Sequence, residues 1–258
     1  MNNLELLNAV KNIAINTGSL ILKHFDTRIA FKLKDDSSPV TLADLEAEQY
    51  IIDELKILTP NLPIISEEAA TIYNSSSIKD CLFWLVDPID GTKEFISGTG
   101  EFTVNIALIK NGDPIIGVVF APALQQLFYA AKNQGAWLIE SGVTKKIACR
   151  QTPNIGLTVV GSRSHGDATA MSYFLKNLTI NEQISAGSSL KFCLIANGKA
   201  DLYPRLGRTM EWDIAAAHAI LNEAGGQIFT VDKKIMTYGK NNFENPHFVA
   251  NNCKTATW

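Results

Sequence analysis

Five apolar runs of strand length follow one another between residues 81 and 141, and they restrict the fold more than any other feature of the chain. They read CLFWLVD, FTVNIALIKNG, PIIGVVFAP, QLFYAAKNQG and AWLIES. The segments KNGDP and KNQG between them carry the asparagine, glycine and proline of tight turns. Consecutive short strands joined in this way predict an antiparallel meander. Ahead of them, Leu4, Leu7, Val10, Ile13, Ala14 and Leu20 recur at helical spacing and predict a first helix of roughly five turns. From about Thr41, the residues Leu45, Ile51, Ile52, Leu55 and Leu58 predict a second helix, stopped at Thr59-Pro60. Residues 1–150 therefore read as an α+β domain.

The pattern changes after RQTPN. LTVVGSRSHG reads as a strand entering a polar loop, TAMSYFLKNL as a helix, and FCLIANGKADLYP as a helix ending near Gly198 followed by a short strand. EWDIAAAHAILNEAGG is a helix with Asp213 as its N-cap, an alanine-rich interior and paired glycines as its stop. QIFTV and PHFVANN read as further strands, so residues 151–258 predict an α/β domain. No apolar run reaches the ~18–20 residues of a membrane span. The first residues lack a basic leader and read as an amphipathic helix. A net charge of −3 argues against extended nucleic-acid binding. Four scattered cysteines, without a CxxC pair, read as free thiols in a reducing compartment, so the expectation is a cytoplasmic protein with a small-molecule site.

The acids supply the chemistry. In WLVDPIDGTKEF, Pro88 and Gly91 break both regular patterns, so Asp87 and Asp90 are expected in a turn. Such a turn directs two carboxylates and the Ile89 carbonyl toward one point, a donor set suited to Mg²⁺. Gly91 permits close approach to a ligand, and if TKEF begins a helical turn, its N–H groups with the Thr92 hydroxyl suit an anion. A solvated loop would read the same way. PIISEE places Glu67 and Glu68 after another apolar run, where a solvated pair is the simple reading, and an N-cap needs no further reason for Asp213.

Together, ISEE, WLVDPIDGTKEF and EWDIAAAHAILNEAGG resemble the signatures of the inositol monophosphatase superfamily, lithium-sensitive Mg²⁺-dependent phosphomonoesterases. DGTKEFISGTGEFTVNIALI, GSRSH and GSSLKFCLIANGKADLYPRLG narrow the resemblance to its bacterial 3'(2'),5'-bisphosphate nucleotidases. The resemblance implies a layered α/β/α/β/α sandwich. It also implies hydrolysis of adenosine 3',5'-bisphosphate, or its phosphosulfate analogue, in sulfur metabolism. Two or three Mg²⁺ ions, with Mn²⁺ as a substitute, are implied as cofactors. Glu67, Asp87 and the Ile89 carbonyl would hold one ion, and Asp87, Asp90 and Asp213 a second. Asp44 and Thr92 would orient the attacking water, with Glu67 also at the reacting centre. Gly91, Thr92 and the metal-site residues Glu67, Ile89, Asp90 and Asp213 would meet the substrate. Ser188, Lys191 and Arg205 would take the non-reacting phosphate, with Arg163 and His165 beside the nucleoside. Lys191 and Arg205 read without the resemblance as surface charges. Two other readings stay open: an inositol or sugar monophosphatase, and a non-catalytic regulatory binding protein on the same fold. Monomer and homodimer are both open, as is a peripheral association with the cytoplasmic face of the inner membrane.

Overall fold

The computed structural model of the protein describes residues 2–25, 31–33, 39–69, 78, 81–163, 168–255 and 258. The chain begins with α1 (Asn3–Phe25), longer than its apolar spacing predicts. A small hairpin of β1 (Phe31–Leu33) and β2 (Pro39–Thr41) leads into α2 (Leu42–Leu58), which ends at Thr59 as expected. After β3 (Ile64–Ser66) come β4 (Leu82–Asp90), the short helix α3 (Thr92–Ile96), β5 (Thr103–Lys110), β6 (Asp113–Ala121), β7 (Gln126–Ala131), β8 (Ala136–Glu140) and β9 (Val143–Ile147). These strands form a seven-stranded sheet in chain order, antiparallel throughout except where β3 runs parallel to β4. The predicted meander is therefore present.

The second half contains β10 (Leu157–Ser162), α4 (Ala168–Leu175), β11 (Ile180–Ala186), α5 (Leu190–Ala196), β12 (Leu202–Arg205), α6 (Glu211–Ala224), β13 (Gln227–Thr230) and β14 (Phe248–Asn251). Its strands form a five-stranded mixed sheet in the order β11-β10-β12-β14-β13.

The layers follow from which face of each strand is apolar. On β4, Trp84 and Val86 pack toward α1 and α2, whereas Phe83 and Leu85 join the core shared with α5 and α6. Burial on both faces explains why the strand sequences are continuously apolar rather than alternating. Trp84 is fully buried in the first of these cores, with its indole N–H donated to Thr59 Oγ1 at 2.9 Å. On the far side of the five-stranded sheet, Met171, Phe174 and Leu175 of α4 pack on Val159, Leu202 and Val249. The order is α1/α2, seven-stranded sheet, α5/α6, five-stranded sheet, α4: the expected α/β/α/β/α sandwich.

One helix ties the two sheets together. Although α6 belongs to the second half, it packs across β4 to β8 of the first sheet. Cross-strand register places Ala107, Gly117, Ala130 and Ala136 side by side on four adjacent strands, leaving a shallow track beneath it. A Cβ at Gly117 would lie 2.1 Å from the Ala216 carbonyl oxygen and 2.7 Å from the Ala219 side chain. The alanine-rich helix thus has a packing reason: larger residues on that face would lift it off the sheet.

Two local expectations are corrected. Residues Asp87 to Asp90 are not a free turn but the bulged end of β4: Asp87 opposes Asn105, Asp90 opposes Thr103, and one extra residue is accommodated between them. Asp213 is not the N-cap of α6. Met210 takes that place, and Asp213 sits three residues on, its carboxylate accepting from the Met210 N–H at 2.8 Å.

His218 lies 1% exposed inside α6, its Nδ1 2.9 Å from the Tyr238 hydroxyl and its Nε2 2.5 Å from Gln227 Oε1. Gln227 Oε1 can only accept, so Nε2 carries the proton and Nδ1 accepts from Tyr238. Burial pushes the imidazole down to about 4, against the partial support of Gln227. An unfolded chain takes up this proton near pH ~6.5, so acid favours unfolding through that window. Stability should be full above pH ~6.5 and fall by about 3 kcal/mol from this residue as pH drops toward 4. Chemical denaturation of wild type and His218→Gln at pH 7 and pH 4 checks this: the variant should show a smaller acid loss, and equal losses would contradict it.

Candidate active site

Parallel pairing builds the first corner. Ser66 pairs with Val86, so the next residues, Glu67 and Asp87, emerge side by side at the ends of β3 and β4; the Glu67 N–H donates to the Val86 carbonyl at 3.2 Å. Behind Glu67, the buried Glu48 of α2 accepts from the Glu68 N–H at 3.1 Å and fixes the turn. Asp87 is 1% exposed and accepts from the Ile89 N–H at 3.1 Å, which curls the chain back over the bulge.

The second corner is the start of α2. Thr41 and Asp44 form a capping box: Asp44 accepts from the Thr41 N–H at 2.7 Å and from its hydroxyl at 2.5 Å. The other carboxylate oxygen faces Thr92, whose hydroxyl lies 3.4 Å from Asp44 Oδ1 and 3.2 Å from the Ile89 carbonyl. One hydroxyl proton serves two acceptors, so both contacts are long. Gly91, with φ 90°, caps α3 and turns the backbone so that Thr92 opens the helix.

The third corner joins β5 to the second half of the chain and holds, beside Ser188 and the acids, the polar groups Thr103, Asn105 and Ser189, which sequence reasoning does not single out. Buried Asn105 donates to Asp90 Oδ2 at 3.3 Å and to Ser189 Oγ at 3.1 Å, and Ser189 Oγ donates to the Asp213 carbonyl at 2.6 Å. Thr103 donates to Asn105 Oδ1 at 2.9 Å, leaving Ser188 Oγ to donate to Thr103 at 2.7 Å. Ser188 has φ 49°, a left-handed conformation that costs a serine about 1 kcal/mol. The sequence signal for this network is the presence of Thr103 and Asn105 in an otherwise apolar strand.

Electrostatics concentrate here. Burial, then the charges of Asp90 and Glu67, drive the Asp213 carboxyl well above its usual range. Asp90 is raised to about 6, chiefly by burial, with Lys191 and Asn105 acting against the rise. Lys191 is 6% exposed, bonded to the Ser188 carbonyl at 2.6 Å and 5.4 Å from the Tyr203 ring centre. Burial brings it down to about 8, offset by Asp90, with Arg205 adding to the drop. Lys191 is thus no solvated surface charge. Arg205, half-buried, donates to the Arg208 carbonyl at 3.0 Å.

Of the remaining expected residues, Arg163 is committed to a bidentate pair with Glu101, and His165 lies outside the described residues. Among the described residues, no three acidic, histidine or cysteine side chains already converge as a metal cage. The donor chemistry nevertheless suits a hard cation: Asp87, Asp90 and Asp213 are oxygen donors, and desolvation with neighbouring negative charge penalises the ionised forms of Asp90 and Asp213. Among the described residues, no helix is long and apolar enough to cross a membrane.

Comparison with known proteins agrees with this architecture. The bisphosphate nucleotidase CysQ of Salmonella typhimurium is 44% identical over 247 residues, covering 94% of this chain and 98% of that protein. The protein of the same name from Haemophilus influenzae is 34% identical, covering 99% of this chain and 96% of its own length. The crystal structure of CysQ from Bacteroides thetaiotaomicron superimposes with a TM-score of 0.81 at 34% identity, over 95% of this chain and 97% of that one. Residues 2–257 match the inositol monophosphatase family as a whole, and the chain belongs to that family.

Proposed function

We propose that the protein is a Mg²⁺-dependent 3'(2'),5'-bisphosphate nucleotidase that converts adenosine 3',5'-bisphosphate, or its phosphosulfate analogue, to the 5'-nucleotide and phosphate. The observation that carries the reading is the pairing of opposites in one buried place. Buried Asp87 and half-buried Asp90 and Asp213 offer carboxylate oxygens to a cation, and buried Lys191, beside Asp90, provides a fixed positive charge for a second anionic group. A monophosphate substrate has no use for the latter. Relatives named for this activity, matched along almost the whole chain, support the same reading.

Glu67, Asp87, the Ile89 carbonyl, Asp90 and Asp213 would hold the ions, with Asp87 shared between them. When bound, Mg²⁺ supplies the charge that binds phosphate and acidifies a water. The chain's own task is alignment. With its proton directed to Asp44 or Ile89, Thr92 Oγ1 keeps lone pairs to accept from the attacking water. Asp44 is itself fixed by the capping box, so the hydroxyl inherits a stable orientation. Lys191 and Arg205, with Ser188, would bind the phosphate that does not react, and Gly91 would border the reacting one. On this reading the setting is sulfur metabolism, and turnover is expected to be sensitive to lithium.

An inositol or sugar monophosphatase is the nearest alternative, and a panel of adenosine 3',5'-bisphosphate, inositol 1-phosphate and a sugar phosphate, assayed with Mg²⁺, with Mg²⁺ plus Li⁺ and with chelator, separates them. Turnover should require Mg²⁺, fall with Li⁺ and favour the bisphosphate in kcat/KM; equal or higher kcat/KM for inositol 1-phosphate would overturn the assignment. No turnover of any of them would favour a regulatory binding role. Asp90→Asn should lower kcat at least about a hundredfold. Lys191→Ala should raise KM for the bisphosphate by about ten- to a hundredfold, the loss of one charge-assisted contact, with a smaller change in kcat.

A further inference from the structure

Glu101 reaches across the molecule from the loop between α3 and β5. Its carboxylate accepts two 2.8 Å bonds from the Arg163 guanidinium and a 2.7 Å bond from the Gly187 N–H. Arg163 also donates to the Ser185 carbonyl at 3.2 Å, so the end of β10, the end of β11 and the loop before β5 meet in one place. The fit is close. A Cβ at Gly187 would stand 2.5 Å from the Glu101 carbonyl oxygen and 3.0 Å from Glu94 Cγ. Burial works against the ionised form of Glu101, but the Arg163 and Gly187 bonds outweigh it and hold its pKa below the ordinary range.

The residues just beyond Gly187 make the anchoring consequential. Ser188 is held in a left-handed conformation, its carbonyl binds the Lys191 ammonium, and Ser189 bonds to Asn105 and Asp213. The helix α5 is only seven residues long, and its N-cap, Ser189, makes no side-chain capping bond that would fix the entry angle of this segment. Ahead of the bonds made by Ser188 and Ser189, the Glu101–Gly187 bond holds the segment where it leaves β11, and Arg163 fixes Glu101. Arg163 is half-exposed, with 42% of its side chain accessible, so the pair contributes little net stability. Its geometry is what is specific.

We propose that Glu101 is a positioning residue for substrate selection: clamped by Arg163, it anchors Gly187 and thereby aims Lys191 at the non-reacting phosphate. Arg163 acts through this carboxylate rather than by touching the nucleoside. The inference rests on the bisphosphate reading for its substrate, but not for the anchoring itself.

The test compares adenosine 3',5'-bisphosphate with adenosine 3'-monophosphate, which has the same reacting phosphate and lacks the distal one, in the Mg²⁺-loaded wild type, Glu101→Ala, Glu101→Gln and Arg163→Lys. Glu101→Ala should raise KM for the bisphosphate about tenfold, as for a lost charge-assisted bond, while KM for the monophosphate and both kcat values stay within about twofold. Glu101→Gln, which keeps an oxygen for Gly187, and Arg163→Lys should be milder, and they carry the test if the alanine variant does not fold. Equal losses on both substrates, or none, would overturn the proposal. Lys191→Ala run alongside identifies the other failure: if it affects both substrates alike, the distal-phosphate reading falls. Hydrogen exchange then decides the anchoring, which predicts at least about tenfold faster exchange at Gly187 and Ser188 in Glu101→Ala; unchanged exchange would refute it.

Discussion

The seat of α6 on the first sheet sets the positions of nearly everything else. Backbone meets backbone where Gly117 faces Ala216, and Ala107, Ala130 and Ala136 continue the same low track across the neighbouring strands. Helices usually rest on sheets at a distance set by large side chains; here small residues on both surfaces bring the helix down. Its first turn consequently comes within reach of the end of β4 and its partner β5, where Ser189 can bond both Asn105 and the Asp213 carbonyl. A carboxylate from the second half of the chain thereby joins those from the first.

That arrangement is costly for folding. Buried Asp87, half-buried Asp90 and Asp213 and buried Lys191 occupy a region with too little internal compensation, as the upward drift of Asp90 and Asp213 and the downward drift of Lys191 record. Elsewhere the protein satisfies buried charge locally. Asp201, fully buried, takes two bonds from Arg150, one from the Thr158 N–H and one from Asn252. Glu211 takes the N–H groups of Gly239 and Lys240 together with the Lys240 ammonium. The contrast between these completed networks and the uncompensated one sets the acids of the candidate site apart from acids that serve the fold.

Much of the architecture is legible in the sequence because it depends on local signals. Apolar spacing identifies α1 and α2, the proline after Thr59 stops α2, and the glycines after Ala224 stop α6. Strands β9 and β11 escape notice because each is largely exposed and polar, VTKKI and INEQISA, with little apolar alternation to read. Both lie at sheet edges, where lysine and other polar residues discourage further pairing. The bulge at Asp87–Asp90 reads as a turn because proline and glycine break a regular ladder, and a bulge tolerates the same residues. In the site, the acids are visible through their motifs. Asn105, Ser189 and Glu101 are not, since their importance comes from partners about sixty residues away or more.

The track beneath α6 also bears on how the protein is made. All seven strands of the first sheet precede residue 211 in the chain, so their alanine and glycine floor has no cover until the helix follows. Contacts of such long sequence separation form late and slowly. Asp213 travels on that same helix, so the last acid of the candidate site is delivered by the event that seals the core. Recovery of catalytic competence during refolding would therefore report docking of a single helix.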